Sequence, residues 1–330
     1  MDIHTGFRFH PRVTQVGTWW GAGGHTELYV VEGESLAVID TGCRDAPDRY
    51  LQPALESMGR GLAQVTHVLN THGHFHHAGG DARAGAPVYM AAGDRDLAAD
   101  LDLQFDECFA IDYLAAGQAG RLDAARERFK QTAEPARVDH ILEDGDVIDL
   151  GKGVALRVIH SPGHSAGSVC FFWEREGILI TGDSVCGAGS RPGAMPVIFD
   201  PERYGRSVAR LATIDSSVLC LGHHYRVPGL TPDSIKFRDD VAPFLRASLE
   251  ADERISQEVF RAIQAHPGAG LRVIVAAALK RLVETLDVAV DAATGLPQWG
   301  GVSAVYSNWR RFGGGPLEAA SLEETDAGNH

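Results

Sequence analysis

Thr71-His72-Gly73-His74-Phe75-His76-His77 follows directly on the apolar run Val65-Thr66-His67-Val68-Leu69-Asn70. A short apolar run that breaks into a polar turn reads as a buried strand delivering a loop at its carboxyl end. In open α/β sheets, functional sites lie beyond those strand ends. Four histidines in one such loop point to a metal, because imidazole is the commonest protein ligand for zinc and suits other late transition metals. This stretch confines the chain to a sheet-containing fold with a metal site at the strand ends, so the remaining ligands must arrive from other strands.

They occur in order along the chain. Leu156 to Ser161 reads as a strand, and Pro162-Gly163-His164 as the turn that ends it. Gly177-Ile178-Leu179-Ile180-Thr181-Gly182-Asp183 ends a strand on a carboxylate, and Ser217-Val218-Leu219-Cys220-Leu221-Gly222-His223-His224 ends one on histidine. Upstream, Leu36-Ala37-Val38-Ile39-Asp40 does the same with Asp40. Strand ends that repeatedly carry His or Asp make a metal site the leading expectation.

With these motifs in this order, residues 10 to 230 resemble the metallo-β-lactamase-fold hydrolase superfamily. Its signature His-x-His-x-Asp-His compares with His72-x-His74-x-His76-His77 here. The resemblance implies an α/β, four-layer αββα sandwich. It also implies that His72, His74 and His164 hold a first metal, that His77 and His223 hold a second, and that Asp183 bridges both. Asp40 would orient a ligand or a metal-held water. The signature aspartate is replaced by His76. That imidazole lacks the charge and hard oxygen of a carboxylate, so His76 either ligates the second metal, leaves that site weak, or signals a metal other than zinc. The implied cofactor is two zinc ions per chain, with iron or manganese as alternatives.

Composition narrows the partners. A net charge of −14 repels a phosphodiester polymer, so no nucleic acid is expected. No apolar run reaches membrane-spanning length, and Met1 to Gly6 lacks the basic start and apolar core of a signal peptide, so no membrane partner and a cytoplasmic location are expected. The cysteines are Cys43, Cys108, Cys170, Cys186 and Cys220, an odd and widely spaced set that suits reduced thiols.

The domain reading is a metallo-β-lactamase-like domain over 1–230, a helical C-terminal appendage over 231–312 and a flexible tail over 313–330. Strands are expected within 13–40, a helix over 46–59, a short strand over 82–90 and strand–turn–strand over 141–150. Residues 94–133 read as a mostly helical insert whose Phe105, Phe109, Tyr113 and Phe129 either line the cleft or pack the insert down. Residues 233–286 read as helices broken at His266-Pro267-Gly268, with an apolar face for the sandwich or for a second copy; a homodimer is the expected assembly. At most one of Trp19 and Trp20 faces the cleft, because adjacent strand residues point opposite ways; the alternative is that both pack an edge. The loop after Asp183, with Pro192 and Pro196, borders the metals.

The chemistry follows from the roles the resemblance implies. Two metals held at Asp183 would supply a hydroxide at neutral pH and polarise a carbonyl, so no serine nucleophile is needed, and Gly-x-Ser-x-Gly is absent. Metal-held water, His76 or His224 would protonate the leaving group. The expected function is hydrolysis of an ester-like bond, a lactone or ester, in a small, partly apolar molecule. The alternatives are a thioesterase or iron-dependent sulfur dioxygenase acting on thiol substrates, and a non-catalytic metal-binding or sensor protein. Relatives that cleave lactones place a tyrosine three residues after the bridging Asp, where this chain has Cys186.

Overall fold

In the computed structural model the described residues are 6–21, 23–292, 294–297 and 301–315. Most of the expected flexible tail, residues 316–330, lies outside them, as do Met1 to Thr5.

Two mixed sheets form the centre. The first has seven strands in sequence order: β1 (Phe7–His10), β2 (Val13–Trp20), β3 (Gly24–Glu32), β4 (Leu36–Ile39), β5 (His67–Leu69), β6 (Val88–Ala91) and β7 (His140–Leu142). Strands β1 to β4 pair antiparallel, and β4 to β7 pair parallel. The second sheet contains β8 (Val147–Gly151), β9 (Val154–His160), β10 (Val169–Trp173), β11 (Ile178–Gly182), β12 (Val218–Leu221) and β13 (Ile235–Phe237) in the order β13-β12-β11-β10-β9-β8. Only β11 and β12 pair parallel.

Strand alternation builds the layers. Tyr29 and Val31 of β3 and Ala37 and Ile39 of β4 face Phe171, Ile178 and Ile180 across the inter-sheet core. Their neighbours Leu28, Val30, Leu36 and Val38 face the other way, onto Tyr50, Leu51, Ala54 and Leu55 of the turn Pro47–Leu51 and α1 (Gln52–Ser57). Both faces of these strands are buried, which is why they read as continuous apolar runs rather than alternating ones. Each fully buried aliphatic side chain there contributes about 1.5–3 kcal/mol.

Short helices follow the first sheet's strands: α2 (Phe75–Ala78), α3 (Asp81–Ala84), α4 (Ala92–Ala99), α5 (Leu101–Gln104), α6 (Ala110–Ala115) and α7 (Leu122–Lys130). The outer face of the second sheet is covered by α8 (Pro201–Leu211), α9 (Val241–Ala265), α10 (Leu271–Leu286) and α11 (Val302–Arg311). Phe244, Leu245, Ala251, Ile255, Val259 and Ala262 of α9 recur at helical spacing, and all are buried in the same cluster as Leu179 and Leu219 of the sheet. The C-terminal helices therefore turn this apolar stripe onto their own chain.

Two expectations change. Residues 81–84 are helical, and the strand begins only at Val88, after Pro87. The 141–150 unit is strand–turn–strand as expected, with β7 closing the first sheet and β8 opening the second. The second sheet also passes residue 230, because β13 pairs with β12 through Cys220 and Ile235 before the long helices start. Among the described residues, no helix is long and apolar enough to cross a membrane.

Candidate metal centre

Strands of both sheets end at one place. The loop after β5 delivers His72 and His74, and its continuation into α2 delivers His76 and His77. The second sheet delivers His164 after β9, Asp183 directly after β11 and His223 after β12. All seven are buried. His72 Nε2, His74 Nδ1 and His164 Nε2 form a triangle with sides of 3.0–3.2 Å. Asp183 Oδ2 lies 3.1 Å from His223 Nε2, 3.4 Å from His77 Nε2, 3.5 Å from His164 Nε2 and 3.8 Å from His76 Nε2. His76 thus points into the cluster.

Backing groups fix which nitrogen is bare. His164 Nδ1 donates to the Val197 carbonyl at 2.8 Å, and His223 Nδ1 donates to the His25 carbonyl at 2.5 Å. A carbonyl only accepts, so each Nε2 is left without a proton and faces the centre. His77 Nδ1 donates to Asp40 Oδ2 at 2.7 Å. Asp40 takes the left-handed backbone at φ 60°, and the Thr71 amide and hydroxyl hold its carboxylate at 2.8 Å. Gly182 and Gly222 are needed at close approaches: a Cβ would lie 2.3 Å from Thr71 Oγ1 at the first and 2.3 Å from Asp183 Oδ1 at the second.

Two anchors have no signature in the sequence. Asp94, at the start of α4, accepts from the Gly73 amide at 2.9 Å, the Gly167 amide at 2.7 Å and the Ser165 hydroxyl at 2.6 Å. One buried carboxylate therefore ties the His72–His74 loop to the His164 loop. Gln104 accepts from the Phe75 amide and donates to the Gly73 carbonyl, both at 2.8 Å.

The electrostatics suit a cation. Burial first, then neighbouring imidazoles, holds His72, His74 and His76 well below the usual histidine range. Burial would also raise Asp183, but His223 and His77 outweigh it and keep the carboxylate ionised. Burial would lower His77, yet Asp183 and Asp40 overcome it and push the imidazole up to about 10. His74 Nε2, His76 Nδ1 and Asp183 Oδ1 are buried without a hydrogen-bond partner. Bare nitrogens and a carboxylate converging in this way are a donor set for zinc-class ions.

A cavity of about 850 Å³ opens from the cluster. Phe105, Phe109, Tyr113 and Phe129 of the insert line one side, and Leu296, Pro297 and Val302 the other. Trp20 lines it, whereas Trp19 is exposed and packs on Tyr50. Ser190, Arg191, Met195 and Val197 bring the post-Asp183 loop to its border. Helix α6 of the insert packs on α11, which brings Asp112 beside Val302, and burial pushes the Asp112 carboxyl up to about 6. Tyr225 also lines the cavity near Asp183; burial, then Asp183, holds its phenol neutral.

His224 does not join the cluster. Its Nε2 lies 2.9 Å from Glu27 Oε1, because consecutive residues after β12 leave the turn in different directions. His160 sits behind the site against the Leu142 carbonyl. Cys186 is buried and donates to the Asp183 carbonyl at 2.9 Å, while Cys43 packs among the insert's aromatic rings.

A family model described as the metallo-beta-lactamase superfamily matches residues 21–223, which include every residue of the cluster. The chain belongs to the metallo-beta-lactamase superfamily. Among curated members, it is 30% identical over 175 residues to a human acyl-coenzyme A thioesterase, covering 51% of this chain and 61% of that one. It is 29% identical over 200 residues to a hydroxyacylglutathione hydrolase of Rhodospirillum rubrum, covering 60% of each. An atrochrysone carboxyl ACP thioesterase of Cryptosporiopsis is 31% identical over 166 residues, 50% of this chain and 40% of that one. The chain thus spans between two fifths and about three fifths of these relatives. A metallo-beta-lactamase family protein from Thermus thermophilus shares the superfamily fold at a TM-score of 0.62 and 21% identity, over 84% of this chain and 94% of that one. A beta-lactamase domain protein from Burkholderia ambifaria does so at 0.58 and 19%, over 93% and 89%.

Proposed function

We propose that this chain is a dinuclear, zinc-dependent hydrolase that cleaves a thioester or ester bond to an apolar acyl group. The observation that carries this reading is the opening of the Asp183-centred cluster onto a cavity walled by Phe105, Phe109 and Phe129. The names of the curated relatives, two thioesterases and a hydroxyacylglutathione hydrolase, favour the thioester.

In this reading His72, His74 and His164 hold one ion, His76, His77 and His223 hold the other, and Asp183 lies between them. Bound zinc supplies a water of lowered pKa as nucleophile and polarises the substrate carbonyl. The protein residues do the rest. Val197 and His25 fix the tautomers of His164 and His223, so those Nε2 atoms are bare before binding, and Asp40 orients His77, which would give up its Nε2 proton to the ion. The aromatic wall binds the acyl chain and excludes water from the reacting carbonyl. Tyr225, neutral and beside Asp183, offers a hydroxyl proton as a hydrogen bond to the developing oxyanion.

The test is a substrate panel on the zinc-loaded protein: acyl-coenzyme A thioesters of increasing chain length, aryl esters, lactones and a β-lactam. Thioesters should turn over fastest, with KM falling as the acyl chain lengthens, and a chelator should abolish turnover. A preference for β-lactams, or turnover that survives metal removal, would overturn the reading.

A further inference from the structure

β3 carries His25 and Glu27 two residues apart, so both side chains leave the same face of the strand. The turn after β12 brings His224 beside them. Glu27 Oε1 lies 2.9 Å from His224 Nε2 and 4.0 Å from His25 Nε2, and the three atoms lie within 4.8 Å of one another. Glu27 is 5% exposed, whereas the His224 side chain is 48% exposed. The group is a half-open crevice at the edge of the metal centre, built on a buried carboxylate.

Protonation in this crevice is readable from geometry. The His224 amide donates to His25 Nε2 at 3.2 Å. An amide N–H only donates, so that ring nitrogen carries no proton and its lone pair faces the 223–225 turn. A bare nitrogen and a carboxylate oxygen therefore stand 4.0 Å apart with a second imidazole beside them. The ion-pair partners of Glu27 among the described residues are these two imidazoles. A buried carboxylate paired with neutral or half-exposed imidazole lacks the permanent cation that burial demands.

We propose that His25, Glu27 and His224 form an additional binding site for a zinc-class divalent cation, separate from the cluster around Asp183. Two imidazoles and one carboxylate are a ligand set used by three-residue zinc sites, with the fourth position left to water. Tetrahedral coordination at about 2.1 Å places ligand atoms roughly 3.4 Å apart. The Glu27–His224 pair must open by about half an ångström and the Glu27–His25 pair must close by about as much. The exposed His224 ring supplies that movement, and the long amide bond to His25 Nε2 yields to the ion. Arg191 opposes a cation here and Asp183 favours one; the Glu27 carboxylate, in direct contact, decides the balance. The His25 carbonyl is the group that orients His223, so an ion on the His25 side chain stiffens a support of the main centre.

The proposal does not depend on which bond the enzyme cleaves. Purified protein is titrated with ZnCl2 against a chromophoric chelator, then with CoCl2 followed by visible absorption, as wild type and as Glu27→Gln. The wild type should bind one more ion per chain than Glu27→Gln, with the tighter-bound ions unchanged, and the last Co(II) equivalent should give a separate absorption band. Equal ion counts in the two proteins overturn the site, whatever the total. If Glu27→Gln fails to fold, His224→Asn at the exposed ligand decides by the same count. A zinc-soaked crystal with anomalous signal at the main centre but none between Glu27 and His224 also overturns it.

Discussion

The two sheets supply the metal centre in opposite ways. The first sheet concentrates its contribution: His72, His74, His76 and His77 come from one loop and the helix it enters. The second sheet spreads its contribution: His164, Asp183 and His223 each close a different strand. The first set is held by side chains, namely Asp40, Thr71, Asp94 and Gln104. The histidines of the second set are held by main-chain carbonyls of Val197 and His25. A loop that crowds four imidazoles together needs buried carboxylates to aim them. A ligand at the end of a strand is aimed by the sheet itself and needs one backbone partner.

The contrast makes Asp183 the sharpest place to strike, because its one carboxylate oxygen lies within 4 Å of His76 and His77 from the first sheet and of His164 and His223 from the second. Asp183→Ala should lose bound metal, and activity should fall by about a thousandfold or more. Elemental analysis alongside turnover checks both, and a variant with wild-type metal content would break the picture of two sheets joined at one carboxylate. Next comes His76, the crowded loop's departure from its family's signature. His76→Ala should lower the ion count of the main centre by one, with about a hundredfold loss of activity, while His76→Asp should keep the count. An Ala variant that retains every ion would show that the loop contributes three ligands, not four.

Asp94→Asn tests the side-chain anchoring directly. Asparagine keeps the shape but loses the charge, and one of its two ends donates instead of accepting. Zinc affinity should fall by about 10–100-fold with an unchanged circular dichroism spectrum. Unchanged affinity would mean that backbone geometry alone sets the first sheet's loop.

The smallest effect on the metal centre lies outside both halves. Burial pushes the Asp252 carboxyl on α9 up to about 7. A folded pKa above the unfolded value of about 3.9 means that the native state binds more protons between those limits, so stability falls as pH rises from about 4 to about 7. Asp252→Asn should therefore stabilise the protein by about 4 kcal/mol at pH 8 and by little at pH 4, with metal content unchanged. Chemical denaturation at the two pH values measures this. An equal effect at both would show that Asp252 ionises normally in the folded chain.

The same contrast explains what could be read from the sequence. Residues at strand ends announce themselves, because an apolar run followed by His or Asp is a local pattern; Asp40, His72, His164, Asp183 and His223 all have it. The αββα layering follows from the same runs. Asp94 and Gln104 have no such pattern. They lie on helices of the insert, and their role exists only once α4 and α5 pack on the loop after β5. His25-x-Glu27 did carry a signal, the period of two along a strand, but only the fold brings His224 to it. Sheet membership was equally hidden: the strand–turn–strand pattern over 141–150 does not say which sheet each strand joins, because that choice depends on partners far away in the chain.

The packing of α6 on α11, with Asp112 beside Val302, has a consequence for how new specificities arise. It joins the insert, which lies within the matched 21–223 region, to a helix that lies beyond it. The metal cluster and one part of the cavity wall thus lie inside the matched region, and another part lies outside it. Exchange of that segment between relatives would reshape the cavity while leaving every residue of the cluster in place. In this architecture substrate range is modular, and it can diverge faster than the chemistry it serves.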